Sequence, residues 1–180
     1  MVYCFLADGF EELEAIAPID MLKRSGVEVV TVGVTGKEVT GSHNITVVAD
    51  IVTDEIELTD KLEAVILPGG MPGTLNLEKD STVQKAIDYA TEKGKYVCAI
   101  CAAPSILGHK GLLNGKNATA FPGFEKDLSG AVVSDKFVVC DGNFITARGA
   151  GVATEFGLKI VSCLVSDEKS FEIKNIIQSK

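Results

Sequence analysis

The sequence has few basic residues and no apolar run that approaches the length of a membrane span. A spanning helix needs about 20 apolar residues in succession, so no association with a membrane is expected. Lysine and arginine together number 17 against 25 acidic residues, which gives a net charge of −8. Binding to nucleic-acid phosphates needs a basic surface, so no dedicated nucleic-acid surface is expected either.

Histidine is nearly absent, since only His43 and His109 occur. No cysteine–histidine cluster has the spacing of a zinc site, and no metal is expected. Five cysteines, an odd number in apolar surroundings, favour a reducing cytoplasm over a disulfide framework. No basic segment precedes the first apolar run at Val2, which argues against a secretory signal. The expected location is therefore the cytoplasm.

What the chain does contain is a regular alternation of apolar runs and helical patterns. Strands separated by helices of this length predict an α/β fold, with a mostly parallel sheet and helices on both faces. The length suits one domain over residues 1–180. The predicted strands are Val2–Ala7, Val27–Val34, Ile45–Val48, Ala64–Leu67, Tyr96–Ile100, Phe137–Cys140 and Phe144–Ala147. The predicted helices are Glu11–Ser25, Thr82–Lys93, Val152–Val165 and Glu168–Gln178.

Two short features refine this alternation. Asp141-Gly142-Asn143 separates the last two predicted strands, and this composition is typical of a hairpin turn. Pro18 falls inside the first predicted helix, where a proline removes a backbone hydrogen bond and is expected to cause a kink.

Cys101 lies where the strand Tyr96–Ile100 stops and a helix begins at Pro104, a residue suited to a first helical turn. The neighbours two positions away, Ala99 and Ala103, are small, as the sharp turn of a nucleophile elbow requires. A thiol at a helix N-terminus is favoured as the thiolate. Cys101 is therefore expected to be the most reactive of the five thiols. The alternative is a buried cysteine that serves as a small apolar residue.

Four predicted strand ends run into distinctive loops, namely Asp8-Gly9-Phe10-Glu11, Pro68-Gly69-Gly70, Cys101-Ala102-Ala103 and Arg148-Gly149-Ala150-Gly151. In a parallel sheet the site lies beyond the carboxyl ends of the strands, so all four loops should open on one edge. The backbone N–H groups of Gly70 and Ala102 are expected to form an oxyanion hole beside the thiol. A plain turn is the alternative interpretation of Gly69-Gly70.

These segments together resemble the DJ/ThiJ/PfpI superfamily, and most of all the branch that holds the Parkinson's-disease-associated protein deglycase and bacterial YajL. The matching motifs follow in order across nearly the whole chain and are Glu11-Glu12-Leu13-Glu14, Leu67-Pro68-Gly69-Gly70, Ala99-Ile100-Cys101-Ala102-Ala103-Pro104 and Arg148-Gly149-Ala150-Gly151. The resemblance implies a flavodoxin-like three-layer sandwich with a nucleophile elbow, usually a homodimer. It also implies that Glu14 is the acidic partner of Cys101, protonated and hydrogen-bonded to the sulfur.

Elementary electrostatics supports that role for Glu14. A carboxyl group in a pocket beside a thiolate has its charged form disfavoured by desolvation and by like charge, so it can act as a neutral proton donor. Glu11 and Glu12 can equally be acids that stabilise a helix start. Arg148 either binds an anion or pairs with an acid in the scaffold. The residues expected to line the substrate pocket are Glu11, Gly69, Phe121 and Arg148.

One position departs from the superfamily pattern. Many relatives place a histidine beside the cysteine shortly after the elbow helix, and Phe121 stands at that place here. Neither His43 nor His109 has the position expected in a cysteine–histidine dyad. Cysteine peptidase or amidotransferase-like hydrolase chemistry, which normally needs that base, is therefore disfavoured.

The leading functional hypothesis is a cofactor-free, cysteine-dependent enzyme on reactive carbonyls, similar to glyoxalase III or a deglycase. By resemblance, the substrates are methylglyoxal, glyoxal, or their early adducts on protein and nucleotide side chains. Cys101 would attack the aldehyde carbon while Glu14 moves the proton. A second hypothesis is a redox-responsive protective protein or chaperone whose Cys101 oxidises to sulfinate. A third is a small-molecule binding module with an unreactive cysteine.

The expected partners are small aldehydes or glycated side chains, and a second copy of the chain. Apolar residues Ile16, Ile19 and Met21 are spread around the first helix more widely than one buried face requires, which supports a homodimer.

The remaining cysteines are expected to be structural. Cys98 and Cys101 form the pattern C-x-x-C, but an offset of three on a strand points side chains to opposite faces, so no disulfide is expected between them. Cys4, Cys140 and Cys163 lie in apolar runs and are predicted to belong to the core.

Overall fold

Strands and helices alternate along residues 1–179, which the computed structural model describes. The strands are β1 (Val2–Leu6), β2 (Val29–Gly33), β3 (Glu38–Thr40), β4 (Thr46–Val48), β5 (Ile51–Val52), β6 (Ala64–Leu67), β7 (Tyr96–Ile100), β8 (Asn117–Ala118), β9 (Val132–Val133), β10 (Val138–Asp141) and β11 (Phe144–Ala147). The helices are α1 (Glu12–Arg24), α2 (Gly73–Lys79), α3 (Ser81–Glu92), α4 (Pro104–His109), α5 (Ala153–Leu164) and α6 (Asp167–Ile176).

Seven strands form one central sheet in the order β10-β11-β7-β6-β1-β2-β5. Every neighbouring pair in this sheet is parallel except β10 and β11, which form the predicted antiparallel hairpin. The predicted mostly parallel α/β sheet is therefore confirmed. Because β1, β6, β7 and β11 run in the same direction, the loops after their carboxyl ends meet at one edge, as the sequence predicts.

Two apolar cores lie on opposite faces of the sheet, and β1 contributes to both. Val2, Cys4 and Leu6 join the core beneath α1, α5 and α6, whereas Tyr3 and Phe5 join the core beneath α2, α3 and α4. Successive side chains of a strand point to opposite faces, so an unbroken apolar strand needs a layer of helices on each side. This arrangement is the predicted three-layer sandwich.

The first helix continues through Pro18 as one element and packs closely on α5. Gly157 makes the approach possible, because a Cβ at this position would lie 2.7 Å from the Cα of Pro18 and 2.9 Å from the Cγ of Met21. The same contact explains why Ile19 and Met21 are buried. Of the three apolar residues predicted to spread around α1, only Ile16 is exposed to solvent.

A small hairpin, β3 and β4, lies outside the central sheet. The sequence predicts its second strand but not the first, because Glu38–Thr40 has no apolar alternation long enough to indicate a strand. A further two-stranded sheet pairs β8 with β9. Among residues 1–179, no helix is both long and apolar enough to cross a membrane.

The prediction that Cys140 belongs to the core was wrong, because Cys140 is exposed. Cys4 is buried as predicted, and Cys163 is half-buried and packs against the core. The reason is topological. Strand β10 lies at the edge of the sheet, so a side chain that would be covered in a central strand faces solvent here.

Candidate active site

The elbow at Cys101 is built into the backbone between β7 and α4. Cys101 has φ +64°, a left-handed conformation that is costly for a residue with a Cβ and is found where surrounding structure holds it in place. Two hydrogen bonds hold it here: its N–H donates to the Ala147 carbonyl at 2.9 Å, and its carbonyl accepts from the Phe121 N–H at 2.8 Å. The predicted sharp turn is therefore present, with the thiol at the carboxyl edge of the sheet.

Glu14 reaches this edge from the first turn of α1. It is only 1% exposed, and its carboxyl group lies beside the Cys101 side chain, so that each group shifts the pKa of the other. The Gly69 N–H donates to its Oε2 at 2.9 Å, and the nearby Ala150 N–H lowers the pKa of the carboxyl group. The structure thus brings together the predicted cysteine and glutamate, which are far apart in sequence.

Gly69 is the residue that allows this contact. A Cβ at Gly69 would lie 2.6 Å from the Glu14 Oε2 and 2.7 Å from the Cys101 Cβ, both too close for a side chain. Gly70 follows with φ +88°, which a glycine adopts without the steric cost of a Cβ. The pair is therefore more than a plain turn, because it lets β6 approach the thiol.

Two backbone donors face the Cys101 sulfur. The N–H groups of Ala102 and Gly70 lie close enough to the sulfur to lower the pKa of the thiol. They come from separate chain segments, one at the elbow and one after β6, and are the two groups that the sequence predicts as an oxyanion hole. Fixed N–H donors can stabilise negative charge on sulfur or on an oxygen bound to it.

The electrostatics of the pair is dominated by burial. Burial raises the pKa of the Glu14 carboxyl group from an ordinary 4.5 to about 7, against the lowering effect of its hydrogen bond with Cys101. Burial, followed by the Glu14 charge and hydrogen bond, raises the pKa of the Cys101 thiol to about 12. Groups this close titrate as a unit, so between about pH 7 and about pH 12 the pair holds one proton.

The helix N-terminus acts on Cys101 in the predicted direction but does not decide the pKa of the thiol. The Ala102 and Gly70 N–H groups do lower the pKa of the thiol, but burial and Glu14 outweigh them. Helix α4 has only six residues, so its contribution is small. Any thiolate at neutral pH must therefore arise by transfer of the shared proton to Glu14.

A mostly apolar hollow of about 560 Å³ opens beside the elbow. Phe121 and Arg148, two of the residues predicted for a substrate pocket, belong to its wall together with Phe137. The Arg148 guanidinium lies over the Phe137 ring at 5.7 Å from its centroid. A Cβ at Gly149, also in the wall, would lie 3.2 Å from the Phe121 ring and 3.8 Å from the Glu14 Oε1. The hollow therefore adjoins the buried carboxyl group.

Sequence reasoning missed Phe137 as part of this wall. It was predicted as the start of a strand, and it precedes β10 with its side chain 60% exposed. A large exposed aromatic next to a predicted loop of the site is the signal that could have found it.

Glu11 does not line the hollow within the described residues, in contrast to its prediction as a pocket residue. Its carboxylate caps α1 by accepting from the Glu14 N–H at 2.8 Å, and its own N–H donates to the Gly69 carbonyl at 3.0 Å. Gly69 likewise shapes the contact between Glu14 and Cys101 and is absent from the described wall. Both residues therefore help to position Glu14 without lining the hollow.

Glu12 anchors the β3–β4 hairpin to α1. It accepts hydrogen bonds from the His43 backbone N–H and pairs with the His43 Nδ1, each at 2.8 Å. Glu11, Glu12 and His43 are the one group among the described residues whose possible metal-ligand atoms lie within 4.8 Å of one another. The capping bond of Glu11 and the His43 contacts account for this arrangement, and we assign it no ion.

The other candidate chemistry is separate from the elbow. His109 pairs with Glu78 at 2.5 Å, and His43 with Glu12, so each histidine is engaged with a carboxylate outside the elbow. Cys98 is fully buried, and the sulfurs whose charge raises its pKa are those of Cys163, Cys140 and Cys4. Cys98 and Cys101 are both free thiols, and no disulfide joins them.

A buried carboxyl group, an elbow thiol and two backbone donors at the edge of a parallel sheet define a class of α/β proteins with a cysteine at a strand-to-helix elbow. Residues 1–163 match the DJ-1/PfpI family, and the chain belongs to that family. The predicted superfamily resemblance is thereby confirmed.

Relatives of similar length support the assignment. The chain is 38% identical over 171 residues to protein dj-1beta of Drosophila melanogaster, covering 93% of this chain and 91% of the relative. It is 36% identical over 151 residues to a deglycase of Pyrococcus abyssi, covering 81% and 87%.

Solved structures show the same fold. The crystal structure of Drosophila melanogaster DJ-1beta superposes with a TM-score of 0.92 at 35% identity, covering 99% of this chain and 97% of that one. Toxoplasma gondii DJ-1, described as oxidized, superposes with a TM-score of 0.94 at 30% identity, covering 98% and 97%. The expected flavodoxin-like α/β fold is confirmed by this agreement.

Proposed function

We propose that this protein is a cofactor-free enzyme that uses Cys101 to act on small reactive carbonyl compounds, with methylglyoxal, glyoxal or their early adducts as substrates. The observation that carries the proposal is the buried Glu14 carboxyl group on the Cys101 sulfur, with two backbone donors beside it. Such a pair can supply a nucleophile and a proton from one site. The deglycase relative from Pyrococcus abyssi favours the same class of chemistry.

In the first step the shared proton moves to Glu14 and the Cys101 thiolate attacks the aldehyde carbon. A carbon–sulfur bond forms, the carbonyl electron pair moves to oxygen, and that oxygen takes the proton from Glu14 to give a hemithioacetal. The Gly70 and Ala102 N–H groups, which face the sulfur, are placed to stabilise charge on the neighbouring oxygen.

In the second step the Glu14 carboxylate removes the proton from the former aldehyde carbon and returns a proton to the adjacent carbonyl carbon through an enediol. The product is a thioester, which water hydrolyses to lactate and the free thiol. The overall change is methylglyoxal plus water to lactate, so no electron acceptor or cofactor is consumed. One carboxyl group serves as acid and base in turn.

The hollow beside the elbow supports substrates larger than methylglyoxal. Its wall is mostly apolar, with the Arg148 guanidinium stacked on Phe137 as a cationic element. A glycated side chain could place its carbonyl at Cys101 and its hydrocarbon portion against Phe121 and Phe137. Arg148 would then contact a negatively charged substituent.

Lactate formation from methylglyoxal by the reduced protein tests the proposal. Cys101→Ala is expected to abolish it, whereas Cys140→Ser, a substitution of an exposed cysteine away from the elbow, is expected to leave it unchanged. Lactate formation by Cys101→Ala at the wild-type rate would exclude the elbow thiol as the nucleophile.

A second candidate function is redox-responsive protection. The donors around Cys101 could hold a sulfinate as well as a bound oxygen, and the Toxoplasma gondii relative is described as oxidized. Client-aggregation assays before and after peroxide treatment test it. Protection that depends on oxidised Cys101, without lactate formation, would favour this function. Peptidase or amidotransferase chemistry remains disfavoured, since both histidines pair with carboxylates outside the elbow.

We also propose that the protein is a homodimer and works in the cytoplasm. Leu13 and Ile16 on α1 and Ile45 and Val48 on the β3–β4 hairpin are all exposed, and Glu12 holds the hairpin to the helix. A second copy would cover this apolar surface. Light scattering is expected to show twice 19 kDa, and Ile16→Glu is expected to give the monomer. A wild-type monomer at micromolar concentration would refute the dimer.

A further inference from the structure

A second pair of reactive groups lies away from the elbow, at the lateral edge of the sheet. The Cys140 Sγ, on edge strand β10, is 3.8 Å from the Cys163 Sγ in the last turn of α5. These sulfurs are in direct contact although 23 positions separate them in sequence. Cys140 is exposed and Cys163 is half-buried, so Cys140 is the more accessible thiol of the two.

The surroundings of the pair favour chemistry between its two members. Burial, followed by the charge of Cys140, raises the pKa of Cys163 to about 11, while Lys159 lowers it. Tyr96 also lies beside Cys163, because the sulfur contributes to the raised pKa of Tyr96 after the larger effect of burial. Cys98 lies deeper and is completely buried, so solvent reaches the two sulfurs of the pair but not Cys98.

We propose that Cys140 and Cys163 form a reversible redox pair, which closes to an intramolecular disulfide when the protein meets a hydroperoxide. The Cys140 thiolate attacks the outer peroxide oxygen, the O–O bond breaks, and the second oxygen leaves as water or an alcohol. The resulting sulfenic acid is attacked at sulfur by the Cys163 thiolate, and hydroxide leaves and takes a proton. Two thiols are oxidised by two electrons in total and the peroxide is reduced by two.

The pair acts independently of the elbow. Cys101 has a carboxyl partner and backbone donors but no second thiol in contact, so its oxidation gives a sulfenic or sulfinic acid and no intramolecular disulfide. Cys140 has a second thiol in contact, so its sulfenic acid is consumed before further oxidation. The disulfide would join edge strand β10 to α5 and remove an exposed thiol from an edge strand.

Trypsin separates the relevant cysteines and makes the disulfide directly detectable. Cleavage after lysine and arginine places Cys140 in Phe137–Arg148 and Cys163 in Ile160–Lys169. Cys98 and Cys101 share a third peptide, Tyr96–Lys110. The full-length Cys101→Ala protein is treated with hydrogen peroxide, blocked with N-ethylmaleimide, and mapped without reduction.

The expected result is one disulfide-linked species that joins the peptides Phe137–Arg148 and Ile160–Lys169 of the same chain. The intact chain should be lighter by two hydrogens and should return to its original mass with dithiothreitol. In the wild type, free thiols fall by two from the five present through this disulfide. Oxidation is expected to raise the melting temperature by about 5–10 °C, and Cys140→Ser and Cys163→Ser should each abolish both the disulfide and the rise.

Three results would overturn the proposal: a disulfide that contains the Tyr96–Lys110 peptide, a disulfide between two chains, or Cys140 oxidised to sulfinate while Cys163 stays free. Since the test uses Cys101→Ala, these outcomes do not depend on the proposed carbonyl chemistry.

Discussion

Cys101 and Cys140 lie at two different edges of one sheet, and the groups around the two sulfurs are chemically different. Cys101 is at the carboxyl edge, where loops after parallel strands bring a buried carboxyl group and two N–H donors to its sulfur. Cys140 is at the lateral edge, where the strand has no further neighbour and its sulfur contacts Cys163. The first environment suits addition to a carbonyl and the second suits a disulfide.

The comparison shows that neighbouring groups, and not accessibility alone, decide the chemistry of a thiol. Burial raises the pKa of both Cys101 and Cys163, so neither is a ready thiolate by itself. At Cys101 the adjacent Glu14 can accept the proton. At Cys163 the nearest acidic group is another thiol, so reaction waits for oxidation of the exposed partner.

The largest expected effect comes from removing the proton acceptor that distinguishes the elbow. Glu14→Gln can still accept from the Gly69 N–H and donate to sulfur, but it cannot carry a proton. Turnover of methylglyoxal should fall about 10²–10⁴-fold, the usual contribution of a positioned acid–base group. Steady-state lactate formation measures this, with Cys140→Ser as the unchanged control. Turnover by Glu14→Gln at the wild-type rate would show that Glu14 is not the acid–base partner and only stabilises the start of α1.

The same substitution should alter the pH dependence of stability. Glu14 has a pKa of about 7 in the folded protein and about 4.5 as an ordinary value, so the folded state retains a proton that the unfolded state loses. Its contribution is favourable below pH 4.5 and is lost as the pH rises through 7. The comparison is the free energy of unfolding of Glu14→Gln minus that of the wild type. This difference should be more favourable to Glu14→Gln above pH 7 than below pH 4.5, by up to about 3 kcal/mol.

Urea unfolding of both proteins at acidic and alkaline pH measures the difference. Glu12→Gln is the matched control, because the pKa of Glu12 is shifted the other way. Burial raises this pKa, but hydrogen bonds from His43 and Ile45 outweigh burial and leave it lowered. Glu12→Gln should lose stability relative to wild type as the pH rises, which is the opposite sign. Parallel curves for wild type and Glu14→Gln would contradict the raised pKa.

A smaller difference should appear in alkylation. At neutral pH the shared proton can move to Glu14, leaving a Cys101 thiolate held by Gly70 and Ala102, whereas the Cys140 sulfur contacts the Cys163 thiol and the Gly142 carbonyl. Limiting iodoacetamide should therefore label Cys101 ahead of Cys140, and peptide mass spectrometry after Glu14→Gln should show the preference reduced. Faster labelling of Cys140 in the wild type would show that exposure outweighs the carboxyl partner.

The smallest effect is expected from restoring the histidine of many relatives. Phe121→His keeps the backbone bond to the Cys101 carbonyl, and Glu14 already supplies proton transfer. The rate of lactate formation should change less than about tenfold. This is smaller than the rate change that a required general base usually contributes. Phe121→Tyr is the control for altered ring shape. A gain of 10²-fold or more in Phe121→His alone would show that this elbow lacks a base.

The predictable part of the fold and site depended on local patterns. The apolar runs of β1, β6 and β7 identified central strands because such strands are covered on both faces. Cys101 was identifiable because small neighbours and Pro104 mark a strand-to-helix turn. Glu14 required the superfamily resemblance, because nothing local distinguishes it from Glu11 or Glu12.

The sequence by itself determined the alternation of strands and helices, and with it the sheet edge where Cys101, Gly70 and Ala102 meet. Only the tertiary structure decided that Glu14 is buried on the sulfur, that Glu11 is a cap, and that Cys140 contacts Cys163. The physical reason is that periodicity reports which face of an element is covered. The order of strands across a sheet, and hence which side chains from distant segments touch, depends on how those covered faces pack together.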